Sequence, residues 1–102
     1  MRVKVSALVV DYEGNPIADG KSPLTYRKVF TVALNTFDEK DKPAPEQMGH
    51  IYALSVKLHD SSEIELSADD VVLIKERVGK TFNPLVYGRT CDVLEGKASK
   101  KK

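Results

Sequence analysis

The chain holds one cysteine, no tryptophan and no apolar run near the ~20 residues that cross a bilayer. A lone Cys91 excludes an intrachain disulfide and any cysteine-rich metal site, and it suits a reducing compartment. Six glycines stand at 14, 20, 49, 79, 88 and 96, and none falls into a phosphate-cradling GxGxxG or Walker pattern. The two histidines, His50 and His59, lie nine positions apart, off the three- or four-residue step that aims two ligands at one metal. Acidic clusters beginning at Asp11 and Asp60 fail as calcium loops. The first has Pro16 in place of the invariant glycine and Ser22 in place of the final glutamate; the second has Glu65 in place of that glycine. Asp69 and Asp70 are neighbours on an expected helix and so point about 100° apart, which suits helix capping better than a catalytic carboxylate pair. From these absences we expect no metal, no cofactor and no enzymatic activity.

At 102 residues, 41% hydrophobic and 30% charged, the composition is that of one soluble globular domain. The opening Met1-Arg2-Val3-Lys4-Val5-Ser6 alternates charge with β-branched side chains and lacks the apolar core of a secretory leader, so a cytoplasmic protein without membrane contact is expected. The net charge of +1 hides an asymmetry. Lys97, Lys100, Lys101 and Lys102 crowd the last six residues. Without them twelve basic side chains face fifteen acids, leaving residues 1–96 at about −3. The expected organisation is a single domain over 1–96 and a flexible lysine-rich tail over 97–102.

The alternation and β-branching of residues 3–10 predict a strand, and Glu13-Gly14-Asn15-Pro16 is a turn from which Ile17-Ala18 pairs back as a hairpin. Ser22-Pro23 reads as the start of a first helix reaching about Asp38, its buried face made by Tyr26, Phe30, Ala33, Leu34 and Phe37. The charged, proline-containing segment 38–45 is a linker between helices. A second helix over 45–59 carries Met48, Ile51, Leu54 and Leu58 as its buried stripe, with Tyr52 and Val56 beside it. Residues 63–66 alternate and can add a third strand. Ser67 caps a third helix from Val71 to Val78, stopped by a left-handed Gly79. Asn83-Pro84 starts a fourth that ends near Gly96. The fold class is therefore α+β, an N-terminal β-hairpin packed on three to four helices.

Helix three runs Val71-Val72-Leu73-Ile74 and helix four Leu85-Val86-Tyr87, more apolar surface than one core-facing stripe requires. Either the monomer buries all of it, or Val72, Leu73, Val86 and Tyr87 form an interface with another protein or a second copy. The alternative is a nucleic-acid contact through the lysine tail together with Arg27 and Lys28 on the first helix. An acidic body opposes that contact, and the tail has no aromatic residue to stack on a base. Helices three and four have helix-turn-helix spacing, but the second offers only Asn83, Arg89 and Thr90 as readers. Cys91, at helical spacing from Tyr87 and Leu94, reads as a buried, inert thiol.

The stretch Glu65 to Gly88, ELSADDVVLIKERVGKTFNPLVYG, preceded by Gly14-Asn15-Pro16-Ile17 and Ser22-Pro23-Leu24-Thr25, resembles a family of small proteins encoded by tailed bacteriophages and prophages. Its members share a "DG-x-P-I/L … P-L-T" hairpin and an "L-S-A-E-D-I-x-L-I-K-E-R-V-G-K … P-L-V-x-G" ending. The resemblance covers nearly the whole chain except the lysine tail. Its motif residues are caps, turns and core positions, so it implies a fold and an origin in a bacterial host cell and carries over no functional residue. It implies a small accessory that binds a host or phage protein or itself.

Overall fold

The computed structural model describes residues 2–96. Strand β1 (Arg2–Lys4) pairs antiparallel with β4 (Glu63–Glu65) in the register Arg2↔Glu65, Val3↔Ile64, Lys4↔Glu63. The two-residue period puts Val3 and Ile64 inward and opposite charges outward, where Arg2 sits 3.6 Å from Glu63 and 3.9 Å from Glu65. The third strand thus exists, and it is the partner of the first.

The expected strand over 3–10 is interrupted. A turn closed by Ala7 N–H on the Lys4 carbonyl separates β1 from an irregular hairpin, in which Val9 N–H donates to Leu24 O (2.9 Å) and Ile17 N–H to Val9 O (3.0 Å). At its tip the Asp11 carboxylate accepts the N–H groups of Glu13 and Asn15, and Gly14 takes a φ of 88°. A short ladder of β2 (Ala18–Asp19) and β3 (Ser22–Pro23) extends it. Ser22-Pro23 is therefore strand and not helix start. Leu24 backbone groups are bonded to Val9 and Ile17, so the helix begins only after Thr25, whose hydroxyl accepts Lys28 N–H.

Helix α1 (Tyr26–Asn35) is the central element, with Val29, Phe30, Ala33 and Leu34 fully buried. It packs on α2 (Pro45–Asp60) and on α3 (Ala68–Thr81), which in turn packs on α4 (Pro84–Leu94). A single 3-10 turn, Glu39–Asp41, lies in the linker. The first helix stops at Asn35, three residues short of the expected Asp38. Arg77 reaches its last turn, donating from Nε to Ala33 O (3.4 Å) and from Nη2 to Thr36 O (2.6 Å), with its guanidinium 4.5 Å from the Phe37 ring centroid. Its Nη1 meets the Asp41 carboxylate at 2.5 Å, and Lys80 holds the other Asp41 oxygen at 3.0 Å.

Ser67 and Asp70 form a capping box at the start of α3: Ser67 Oγ accepts Asp70 N–H, and the Asp70 carboxylate accepts Ser67 N–H. Gly79 does not end this helix, which continues through Thr81 to a cap at Phe82. The glycine serves packing instead, since a Cβ there would stand 3.2 Å from the Tyr87 ring of α4. Asn83 caps α4 as expected, accepting Val86 N–H at 3.0 Å.

Arg77→Ala should destabilise the fold by about 3 kcal/mol or more, because two helix-end carbonyls and Asp41 lose their partner in a buried setting. Arg77→Lys should recover little of that, lacking the planar fork. Urea midpoints of the three proteins measure this. Thr90 is fully buried and its hydroxyl has no hydrogen-bond partner. Thr90→Val, which removes that hydroxyl at nearly constant volume, should raise stability by about 1 kcal/mol, read as a rise of several degrees in Tm.

Candidate functional site

The four expected interface residues divide by burial. Leu73 and Val86 are each 5% exposed and belong to the monomer core, so they are not available to a partner. The α3 stripe of Leu73, Ile74 and Val78 faces inward, and Val86 lies on the buried face of α4 with Thr90 and Leu94. Val72 is 65% exposed on the outer face of α3, and Tyr87 is exposed beside Gly79. Apolar runs on these two helices therefore overstate the outer surface, because consecutive residues turn by about 100°.

Arg27, expected to meet phosphate, is committed to the protein itself. It donates from Nε to Leu58 O and from Nη2 to Ser61 O, both at 2.7 Å, closing the C-terminal end of α2. Lys28 is exposed, 3.7 Å from Asp19. Lys97, Lys100, Lys101 and Lys102 lie outside the described residues. Cys91 is half-buried, and its sulfur beside Tyr87 pushes that phenol above its ordinary value.

A cleft of about 390 Å³ opens between β1, residues 7–10 and α4. Its two arginines are engaged: Arg2 pairs with Glu63 and Glu65, while Arg89 donates to the carbonyls of Val10 (3.0 Å) and Asp11; Lys4 lines the cleft as well. Burial pushes the Tyr26 phenol in this cleft upward, with Arg89 opposing and Asp92 adding to the shift, so it stays protonated at neutral pH. Among the described residues no three His, Cys, Asp or Glu side chains converge on a metal position. No helix among them is long and apolar enough to cross a membrane.

Three of the exposed large apolar side chains lie on α2. Ile51, Leu54 and Leu58 alone make its buried stripe. Met48, expected to join them, is exposed, as are Tyr52, at 73%, and Val56. Four-residue steps drift by about 40° each, so Met48, Tyr52 and Val56 cover one outer arc of about 80°. Pro45, Gly49 and Ala53 are exposed beside them, on a line that ends at Lys57, while the line of Met48, Tyr52 and Val56 ends at Asp60. A Cβ on Gly49 would touch nothing, so the glycine serves no packing within the chain. The signal was present in the spacing: 51, 54 and 58 already complete a core stripe, and 48, 52 and 56 form a second line.

His50 connects this helix to α3 through a 2.6 Å contact between its Nε2 and the Asp70 carboxylate. Burial alone would raise Asp70; His50 and the Ser67 bonds outweigh it and hold the carboxyl below the ordinary range. A depressed carboxyl stabilises the fold above its unfolded value near 3.9 and loses that contribution as pH falls through the folded value. Asp70→Ala should cost about 1–2 kcal/mol at pH 7, and urea midpoints between pH 6 and pH 2 should show the difference from the parent protein shrinking below about pH 4.

No family model, no curated protein and no solved structure matches the chain.

Proposed function

We propose that the protein is a small non-enzymatic accessory of a tailed phage or prophage, acting in the bacterial cytoplasm by binding another protein or itself. The observation that carries this reading is the exposed apolar line Met48, Tyr52, Val56 on α2; Val72 on α3 and Tyr87 on α4 are exposed as well. A folded monomer gains nothing from exposing large apolar side chains in line along one helix, whereas an interface buries them. The phage origin rests on the resemblance of the sequence motifs alone, since turn and cap residues such as Gly14, Ser67 and Asn83 serve any fold.

Affinity capture of the tagged full chain from bacterial lysate, with and without nuclease, tests the reading. The expected result is one stoichiometric protein, or the chain itself, recovered despite nuclease and reduced severalfold by Tyr52→Glu or Val72→Glu. Both substitutions replace exposed side chains, so the variants should keep the parent Tm. Recovery that vanishes with nuclease would overturn the reading in favour of nucleic-acid association through the lysine tail.

A further inference from the structure

One wall of the cleft between β1, residues 7–10 and α4 is the edge of a sheet. Among the described residues β1 pairs with β4 alone, so its other edge has no strand beside it. All three residues of β1 line the cleft and none of β4 does, which places the cleft along that open edge. At about 390 Å³ it has the size of an ordinary ligand site, with Leu8, Val10 and Val93 as its apolar wall.

The alternation of β1 states what a neighbouring strand must carry, because paired residues of adjacent strands point to the same face. Arg2 and Lys4 point outward and Val3 inward, and β4 answers them with acid, apolar, acid in Glu63-Ile64-Glu65. A strand on the open edge meets the same row. Two acids there stand beside Arg2 and Lys4, and the apolar residue between them turns inward with Val3. Both cations are exposed, and Glu63 and Glu65 lie 3.6 and 3.9 Å from Arg2, too far to hydrogen-bond, so a further carboxylate has room. The lining as a whole sets three cations, Arg2, Lys4 and Arg89, against one acid, Asp92. The tail lysines follow directly in sequence from Gly96, which also lines the cleft. A second copy of β1 is the wrong occupant. Pairing across Val3 in either direction sets cation against cation, and like charges directly opposite destabilise a ladder.

We propose that the cleft is a strand-docking groove, in which an extended segment of another protein, with acids on either side of an apolar residue, adds to the open edge of β1. Backbone hydrogen bonds to β1 supply the affinity, and Arg2 and Lys4 select the partner. This rests on the protein-binding reading above for the source of the segment and adds a contact separate from the α2 line.

Titration of the isotope-labelled full chain with the end-capped peptide Thr-Glu-Val-Glu-Thr, to about 1 mM, tests the proposal through backbone amide shifts. The expected result is saturating shifts in β1, residues 7–10 and the cleft side of α4, weakened severalfold by Lys4→Ser and about tenfold by Lys4→Glu. Lys4→Glu should in turn gain affinity for Thr-Lys-Val-Lys-Thr, which the parent chain should not bind; Tm values of both variants establish that they are folded. A copy of the acidic peptide N-methylated at every backbone nitrogen keeps its charges and loses its donors, so equal binding by that copy overturns strand addition. Equal binding of the lysine peptide by the parent chain, or no shift at about 1 mM, overturns it as well. Shifts on α2 in place of β1 overturn the cleft as the site. A short single-stranded oligonucleotide that shifts the same amides at lower concentration overturns it in favour of nucleic acid. Failure here leaves the broader reading to lysate capture with Tyr52→Glu, which alters no residue of the cleft.

Discussion

The buried guanidinium of Arg77 is the constraint on which the rest of the arrangement depends. From the middle of α3 it binds the C-terminal carbonyls of α1, stacks on Phe37 and holds Asp41 in the linker. A helix leaves its last carbonyls without intrahelical partners, and α1 has no glycine cap to satisfy them. Arg77 supplies donors and positive charge where the α1 dipole is negative, and in doing so sets where the linker leaves for α2. Asp41 responds as it must. Hydrogen bonds from Arg77 and then Lys80 hold its carboxyl below the usual range.

Arg27 and Arg89 repeat the device. Each uses two guanidinium nitrogens on two backbone carbonyls, Arg27 at the end of α2 and Arg89 on the turn after Val10. These bonds join positions 31 to 79 residues apart in sequence, so they are a scaffold that local propensity cannot supply. They also bear on function. The side chains best suited to phosphate forks are occupied inside the fold, and Arg2 faces Glu63 and Glu65. The exposed cations left among the described residues are lysines, Lys4, Lys21, Lys40 and Lys42 among them.

Much of the architecture could be read locally. Ser67, Asp70, Asn83 and Pro84 start helices where capping chemistry places them, and the alternation around Ile64 marks a strand. Errors arose where a distant partner overrode a local signal. Ser22-Pro23 has the chemistry of a helix start, yet pairing of the neighbouring backbone draws it into β3. Gly79 has the chemistry of a helix stop, yet it lies within α3 as a seat for the Tyr87 ring. The candidate surface was only half legible for a related reason. Hydrophobicity marks Leu73 and Val72 alike, and it is packing against α1 and α4 that buries one and leaves the other outside.

By itself the sequence determined the α+β class, a count of three to four helices and the caps at Ser67 and Asn83, because these follow from periodicity and from hydrogen bonds spanning three or four residues. Only the tertiary structure decided which apolar line of α2 faces solvent and which cations remain available to a partner. Both depend on contacts between residues far apart in the chain: α1 and β4 cover Ile51, Leu54 and Leu58, and carbonyls more than thirty positions away hold the guanidinium groups.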